Sequence, residues 1–309
     1  MELSLFDLHC DTAGEMLAKH QSLGNNQLAV SLDGAKVFRK YTQVMAFWTN
    51  YRLDDEAGWQ QMLRMRENLL ADESVRSGRA VPITAFPADC PPVSLLFGIE
   101  DARIFANRIE RVDEAFALGI RILTPLWAGE TCIGGSHNTS AGLTPFGKQA
   151  IRRAVTLGMI PDISHASVPS ADDIFEIAAG LNRPVIASHS NAHAVCPVSR
   201  NLSDAQIGSI VACGGLIGIN LYKSFLRENG SAMARDVIPH VEHFLGLGAE
   251  KALCLGCDMD GADLPEDLQN VRELPLLAEL LLQRNYPESL IHAIFHENAA
   301  RFARRFLTR

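Results

Sequence analysis

Short apolar runs alternate with segments of helical periodicity along most of this chain, and this alternation limits the folds open to it. The apolar runs are nearly continuous, which is typical of strands buried on both faces of a parallel sheet. The segments between them carry apolar residues at helical spacing. Eight strands are predicted, and they begin at Leu3, Val44, Val93, Ile120, Met159, Pro184, Gly215 and Ala252.

Eight strand–helix units in 309 residues predict an α/β fold, a (β/α)8 TIM barrel with its active site at the C-terminal strand ends. Later strands are expected over 120–126, 159–163, 184–188, 215–221 and 252–257, with helices over 145–157, 171–179, 203–212 and 232–245. Since no repeat, linker or composition break divides the sequence, residues 1–309 are expected to form one domain. An open doubly wound sheet is the alternative, but there is no G-x-G-x-x-G turn to bind a nucleotide.

Composition narrows the class of partner. A net charge of -8 with no run of Lys or Arg argues against a nucleic-acid partner. The sequence shows no secretory signal and no apolar run long enough to span a membrane, so neither a membrane partner nor a membrane location is expected. A cytoplasmic protein is the simplest expectation, and the seven cysteines are then predicted to be reduced thiols.

Metal-type side chains fall at the predicted C-terminal strand ends. His9 and Asp11 lie two apart on the first strand and so project from the same face. An imidazole and a carboxylate together suit a divalent metal, with zinc the first candidate, although this pair alone also fits a buried histidine and a helix-capping aspartate. The other metal-type groups at strand ends are Glu100, His165, His189 and Asp258.

The number and charge of these groups favour two zinc ions. Two close cations repel each other, and a shared carboxylate with a bridging hydroxide lowers that repulsion. Glu100 is expected to be the shared ligand, with His9 and Asp11 on one ion and His165 and His189 on the other. Two dications balance the three carboxylates at the rim and one hydroxide, so the site can be buried without net charge.

With these residues identified, the chain resembles the renal or membrane dipeptidase family, zinc dipeptidases with an amidohydrolase-like barrel of the metallo-dependent hydrolase type. The resemblance covers nearly the whole length. It is carried by 9–11 (HCD), 98–100 (GIE), 142–147 (GLTPFG), 157–159 (LGM), 162–165 (DISH), 188–190 (SHS), 199–201 (SRN) and 258–261 (DMDG). The family implies two zinc ions on the ligands just described, and a homodimer is common in it.

The resemblance also implies roles for individual residues. Arg200 corresponds to a clamp on the terminal carboxylate of the substrate, which agrees with the bidentate match of guanidinium and carboxylate. Asp258 corresponds to the proton shuttle of the family. Tyr222, after the seventh strand, either lines the pocket or packs in the core.

One position departs from the family pattern. Family members commonly carry a histidine at the end of strand four that helps to hold the substrate carbonyl, and here that position is Trp127. An indole N–H donates a hydrogen bond but does not ionise usefully. His137, ten residues further on in a Gly-rich loop, is a candidate substitute, and an apolar pocket wall is the other interpretation of Trp127.

The sequence therefore predicts a binuclear zinc dipeptidase that acts through a metal-bridging hydroxide, with small dipeptides as substrates, including ones with a D residue at the C-terminal position. Glu100 and Asp258 are the candidate catalytic residues. A zinc amidohydrolase that acts on N-acyl amino acids, lactams or esters is the first alternative, favoured by Trp127. A non-catalytic metal-binding protein is the second.

Overall fold

Parallel strands flanked by helices form the framework of this protein. The computed structural model describes residues 1–228 and 230–308. The strands are β1 (Leu5–Cys10), β2 (Tyr41–Trp48), β3 (Val81–Pro82), β4 (Val93–Glu100), β5 (Ile120–Thr124), β6 (Ile160–Pro161), β7 (Ile217–Ile219) and β8 (Leu253–Leu255). All the strand pairs described are parallel, in the order β6-β5-β4-β2-β1-β8-β7, and β3 pairs at the side with β4.

Helices follow most of the strands and cover the outside of the sheet. They are α1 (Thr12–Lys19), α2 (Leu32–Ala35), α3 (Asp55–Ala71), α4 (Glu73–Arg76), α5 (Glu110–Ala117), α6 (Pro145–Leu157), α7 (Val168–Gly180), α8 (Asp204–Ala212), α9 (Lys223–Leu226), α10 (Val237–Gly246), α11 (Pro275–Gln283), α12 (Glu288–His292) and α13 (Asn298–Phe306). Thr144, Ser167 and Ser203 accept hydrogen bonds from the first-turn N–H groups of α6, α7 and α8, so these helices begin where the side chains supply the missing acceptors.

The two ends of the sheet are joined by residues 184–188. Ile186 bridges to Asp162 beyond β6, and Ala187 bridges to Ile217 in β7, both in parallel orientation. The barrel is thereby closed, and the predicted (β/α)8 fold is confirmed. The regular strand predicted for 184–188 is wrong, because the structure pairs this segment through single bridges rather than a continuous ladder.

Other predicted strands are shorter than expected. The ladder ends at Thr124 rather than at residue 126, and β6, β7 and β8 keep only two or three residues each. Each of these strands is followed by residues that turn into the C-terminal mouth, so the apolar runs extend beyond the hydrogen-bonded ladder. Sequence hydrophobicity therefore overestimates strand length at this end.

Two apolar clusters hold the barrel together. One draws side chains from successive positions of the barrel, including Phe6, Val44 and Ile122, and also contains Phe302 from α13. It fills the barrel interior, and α13 covers the N-terminal end. The larger cluster packs the outer strand faces against the helices, which leaves the C-terminal end as the open mouth.

The described residues contain no helix that combines the length and the apolar character needed to cross a bilayer. The seven cysteines, all within the described part of the chain, are free thiols, as expected from the sequence.

Candidate active site

The metal-type residues predicted from the sequence meet at the C-terminal mouth. His9 and Glu100 lie at the ends of β1 and β4, with Asp11 just beyond β1. His165 and His189 follow β6 and residues 184–188, and Asp258 follows β8. His9, Glu100 and His189 are 1–3% exposed, so the centre of the group is closed to solvent.

Asp11 decides between the two interpretations that the sequence left open. It occupies the N-cap position of α1, but its side chain makes no capping hydrogen bond. Its Oδ2 lies 3.5 Å from Nε2 of His9, and its buried Oδ1 has no hydrogen-bond partner among the described residues. The carboxylate is turned away from the helix end and towards the cluster.

Backbone strain helps to aim two of the other groups. His165 and Asp258 have φ of +69° and +59°, in the left-handed region that non-glycine residues rarely adopt. Such strain costs on the order of 1 kcal/mol or more and persists where surrounding structure maintains it, often at functional sites. Here it turns an imidazole and a carboxylate into the mouth.

Glu100 extends its two oxygens towards different histidines. Its Oε2 lies 3.6 Å from Nε2 of His9, while its Oε1 lies 2.9 Å from Nε2 of His165 and 3.4 Å from Nε2 of His189. The two histidines on the second side are themselves 3.1 Å apart at Nε2. One carboxylate therefore joins two sets of donors.

The donor spacing fits metal ions. Three groups have ligand atoms within 4.8 Å of one another: His9, Asp11 and Glu100; Glu100, His165 and His189; and His9, His189 and Asp258. Ligands about 2.0–2.2 Å from a tetrahedral zinc are separated by about 3.3–3.6 Å, close to the distances found. Nε2 of His9 is buried with no hydrogen-bond partner among the described residues. This is expected of a nitrogen that coordinates a metal ion.

Space beside the donors is kept by a glycine. A Cβ at Gly261 would lie 2.0 Å from Oδ2 of Asp11 and 2.8 Å from Oδ1 of Asp258. Any side chain at this position would displace both carboxylates. The segment after β8 therefore approaches the cluster closely only because residue 261 is glycine.

Hydrogen bonds at Nδ1 orient His165 and His189. Trp127 O accepts from Nδ1 of His165 at 3.0 Å. The Ser188 hydroxyl donates its only proton to Asp162, so its oxygen must accept from Nδ1 of His189, at 2.6 Å. Both imidazoles consequently keep the Nε2 lone pair free for an ion, as metal-bound histidines generally do.

The electrostatics of the cluster favour a cation. Burial opposes the charged form of His9, but the neighbouring carboxylates of Glu100 and Asp11 together outweigh it and raise the pKa of His9 well above its usual value. Burial likewise opposes ionisation of Glu100, yet the His9 charge and the contacts with His165 and His189 together hold the pKa of Glu100 well below its usual range. Burial raises the pKa of Asp11 to about 7. A positive charge is thus stabilised between these carboxylates.

A buried guanidinium stands beside the cluster. Arg200 is 4% exposed and donates to Ser190 Oγ at 2.8 Å and to His189 O at 3.1 Å. Its Nε has no hydrogen-bond partner among the described residues, and burial lowers the pKa of Arg200 to about 10. A buried guanidinium that forms no hydrogen bond to a carboxylate is suited to bind an anionic group of a ligand.

His137 shares this corner of the mouth. Its Nδ1 lies 2.9 Å from Ser199 Oγ, and its ring centre lies 6.0 Å from that of His165. Burial, followed by the Arg200 charge, lowers the pKa of His137 to about 4, so the imidazole is neutral at physiological pH. The structure thus brings to the pocket the histidine that the sequence suggested as a substitute.

The cavity above the donors has a volume of about 860 Å³ and is lined by Arg200, Tyr222, Trp127 and Asp258, among others. Tyr222 therefore lies at the pocket, and its ring packs edge-on against Phe225. Asp258 accepts a hydrogen bond from Asn220 Nδ2 at 2.9 Å and has Oδ1 3.8 Å from Nε2 of His9.

Several residues of the site were missed by sequence reasoning. Asp162 and Ser188, which orient His189, appeared only as parts of motifs, and Asn220, which holds Asp258, did not stand out. Trp48, Asn50 and Gln61 also line the cavity. The signal that could have found Trp48 is its position at the end of β2, where a predicted barrel strand points residues into the mouth.

The sequence model of a family described as membrane dipeptidase, peptidase family M19, matches residues 1–307. A relative from Klebsiella pneumoniae, an uncharacterized protein in the pqqA 5' region, is 30% identical over 218 residues, which are 67% of this chain and 79% of that protein.

Two crystal structures resemble the whole chain. The first, of a metallopeptidase of family M19 called dipeptidase AC, is 26% identical with a TM-score of 0.92, and the likeness covers 100% of both chains. The second, of a metallopeptidase from Rhodobacter sphaeroides liganded with a phosphinate mimic of the dipeptide L-Ala-D-Ala, is 25% identical with a TM-score of 0.91, covering 99% of this chain and 100% of that one.

Proposed function

Since the chain belongs to the membrane dipeptidase family, peptidase family M19, we propose that it is a binuclear zinc dipeptidase. Membership makes it a metal-dependent hydrolase of peptide bonds. The observation that carries the finer proposal is Glu100, whose two oxygens face separate sets of donors. A solved relative is liganded with a phosphinate mimic of L-Ala-D-Ala, and we propose that the substrates of this chain include dipeptides with a D residue at the C-terminal position.

We assign one ion to each of two sets of side chains whose ligand atoms lie within 4.8 Å of one another. His9, Asp11 and Glu100 would hold one ion, and Glu100, His165 and His189 the other. Zinc bound there would polarise the scissile carbonyl and supply a nucleophile from water at neutral pH. The chain itself supplies binding, orientation and proton transfer.

Arg200 binds the C-terminal carboxylate of the substrate. Its guanidinium is buried at the wall of the cavity and has an unbonded Nε, so a carboxylate supplies the missing partner as well as the opposite charge. Anchoring this end limits the length of substrate that fits between Arg200 and the cluster. The neutral His137 lies in the same corner and lines the same cavity.

Asp258 moves the proton. Its Oδ2 is held by Asn220, while its Oδ1 faces His9 and the cavity. From this position it takes a proton from the attacking water and delivers it to the leaving amine, because an amine expelled without a proton is a poor leaving group. Glu100 would take part by holding the ions from which the nucleophile is supplied.

A substitution tests this assignment. Asp258→Asn keeps the size of the side chain and an oxygen that accepts from Asn220. We therefore expect two zinc ions per chain to remain and kcat for dipeptides to fall by about 10²-fold or more. Asp172→Asn, on the exposed face of α7, is the matched control and should retain wild-type kcat. Full turnover by Asp258→Asn with both metals bound would remove the mechanism.

Trp127 supports one alternative, a zinc amidohydrolase acting on N-acyl amino acids, lactams or esters. Its indole replaces the imidazole common in the family, and its carbonyl is already engaged by His165. Assaying L-L and L-D dipeptides beside N-acyl amino acids, lactams and esters distinguishes the two. Inertness of the zinc-loaded protein towards all of them would favour the non-catalytic metal-binding alternative.

The cytoplasmic location and the homodimer expected from the sequence stay predictions. Light scattering at several protein concentrations tests the oligomeric state, and fractionation of cells that express the full-length protein tests the location.

A further inference from the structure

Aromatic rings line one side of the cavity. Trp48 ends β2, and its ring centre lies 5.2 Å from that of Trp127. Tyr51, which is 53% exposed, stacks on Trp127 at 5.4 Å with an angle of 25° between the rings. Trp48 and Trp127 are both half-buried and both line the cavity. We call Trp48, Trp127 and Tyr51 the aromatic wall.

Trp48, at one end of the wall, lies across the mouth from Arg200, while Trp127 follows β5 and is two steps from residues 184–188. Around the barrel the order is β1, β2, β4, β5, β6, residues 184–188, β7 and β8. Trp48 follows β2, and Arg200 follows residues 184–188, so four steps separate them in either direction. The metal-type cluster lies between these two sides. A substrate anchored at Arg200 with its scissile bond over the cluster must point its other end towards the wall.

Asn50 and Gln61 are polar residues that line the cavity beside Trp48. The backbone N–H of Asn50 donates to Oε1 of Gln61 at 3.0 Å. This hydrogen bond fixes the side-chain amide of Gln61 against the end of β2. Nε1 of Trp48 is buried and has no hydrogen-bond partner among the described residues. Arg52 lies over the Tyr51 ring at 5.6 Å and donates to its hydroxyl at 3.3 Å. The Trp48 and Trp127 rings that line the cavity are uncharged, so this part of the wall is suited to apolar and aromatic groups.

From this placement we propose that the aromatic wall binds the side chain of the N-terminal residue, and that the preferred substrates are dipeptides whose N-terminal residue is aromatic or otherwise large and apolar. The inference rests on the proposed function, because that function puts the C-terminal carboxylate at Arg200. It adds the substrate class, which the metal cluster does not determine.

A series of dipeptides with a common C-terminal alanine tests the proposal. The N-terminal residue is varied through Gly, Ala, Leu, Phe, Trp and Lys, and kcat/KM is measured for the zinc-loaded enzyme. Burying an aromatic side chain contributes enough for a rise of about tenfold or more from Gly to Phe. A flat series, or Lys as the best residue, would overturn the inference while leaving the dipeptidase function intact.

Substitutions in the aromatic wall test whether it causes the preference for a large apolar N-terminal residue. Trp48→Ala should reduce the Phe-to-Ala ratio of kcat/KM by about fivefold or more, and Tyr51→Ala by a smaller factor, because Tyr51 acts only by supporting Trp127. The matched control is Trp59→Phe: Trp59 is 5% exposed and packs against Phe105 in the larger core cluster, away from the cavity. An unchanged ratio in Trp48→Ala, or an equal loss in Trp59→Phe, would contradict the assignment.

Binding without turnover separates the two proposals. Phosphinate dipeptide mimics with N-terminal Phe or Ala are titrated by calorimetry. Tighter binding of the Phe mimic, lost in Trp48→Ala, supports the wall even if no dipeptide is hydrolysed, in which case the dipeptidase function alone fails. Equal binding of the two mimics overturns the wall whatever the turnover.

Discussion

The imidazole of His189 is held by a hydroxyl rather than directly by a carboxylate. Asp162 accepts from the hydroxyls of Ser188 and Thr124 and from the backbone N–H groups of Ser164 and Ser188. Ser188 then accepts from Nδ1 of His189. The carboxylate thus fixes the hydroxyl, and the hydroxyl fixes the tautomer of the imidazole.

Removing that hydroxyl should weaken metal binding. Ser188→Ala leaves Nδ1 of a buried imidazole without an acceptor, so we expect zinc affinity to fall about 10–100-fold. Competition with a chromogenic chelator measures it. Ser94→Ala, another fully buried serine at the opposite end of the barrel in β4, is the control. Equal zinc affinity in the wild type and Ser188→Ala would show that the hydroxyl does not position His189.

His240 is a buried neutral histidine outside the cluster. In α10 its Nδ1 accepts from the N–H of Ala192 at 3.1 Å, and its Nε2 donates to the carbonyl of Leu226 at 3.2 Å. Burial lowers the pKa of His240 to about 4. Protonation would convert an acceptor into a donor facing another N–H group.

The pKa of His240 predicts a pH-dependent stability. Because the folded pKa is below the unfolded value of about 6.5, the unfolded chain binds more protons between these two values. Neutral His240 therefore contributes about 3 kcal/mol to the free energy of unfolding above pH 6.5, and this contribution is lost as the pH falls towards 4. Urea unfolding of chelator-treated protein at pH 4.5 and 7 measures it.

The control for this prediction lies on the same helix. His240→Gln keeps one acceptor and one donor but cannot titrate, so its stability should fall less than that of the wild type on acidification. His243→Gln, at a partly exposed position paired with Asp204, should behave as the wild type does. Parallel curves for wild type and His240→Gln would contradict the assignment.

At the residue scale, the metal-type side chains could be predicted from the sequence more readily than the residues that hydrogen-bond to them. His9, Glu100, His165 and His189 stood out because histidine and carboxylate side chains are unusual immediately after buried strands. Ser188 did not, because serine is common in turns and its role depends on Asp162, 26 residues earlier in the chain. Such pairings arise from the closure of the barrel, which local sequence does not specify.

Residues 184–188 pair with their neighbours through single bridges and lead directly into His189. Two glycines allow the segment to fit. A Cβ at Gly218 would lie 1.8 Å from Ser188 O, and one at Gly256 would lie 1.7 Å from the same oxygen. β7 and the residue directly after β8 therefore approach this segment more closely than any side chain permits.

Filling this space should harm both the fold and the site. Gly256→Ala forces the Ser188 backbone outwards, with an expected loss of about 1–3 kcal/mol of unfolding free energy. Because His189 follows directly, zinc affinity should fall as well. Gly208→Ala is the control: it lies inside α8, and nothing stands within 4 Å of its added Cβ, so a gain of about 0.5–1 kcal/mol is expected. Unchanged stability in Gly256→Ala would mean that the segment tolerates displacement.

Element type could be predicted more reliably than element bounds. The apolar runs identified seven of the barrel strands, since burial on both faces leaves a clear pattern. They did not reveal that 184–188 would pair through single bridges, because the same composition suits a regular strand. Gly218 in β7 and Gly256 directly after β8 lie against Ser188 O only in the assembled barrel.

Across the whole molecule, the charge of the mouth depends on the complete barrel. β1, β4 and β8 bring Asp11, Glu100 and Asp258 together, so closing the barrel without a cation gathers three carboxyl groups in one place. Bound dications offset that cost. Folding and metal binding should therefore be linked.

Metal removal should reveal this linkage as a loss of thermal stability. An ion present at a thousandfold excess over its Kd stabilises the fold by about 4 kcal/mol, so stripping two ions should lower Tm by on the order of 10 °C or more. Calorimetric scans with and without chelator measure the shift, and metal analysis gives the number of ions lost. Glu100→Gln lacks the shared carboxylate, so its Tm should respond much less. A single ion per chain at saturation, or a wild-type Tm indifferent to chelation, would contradict a centre in which Glu100 joins two cations.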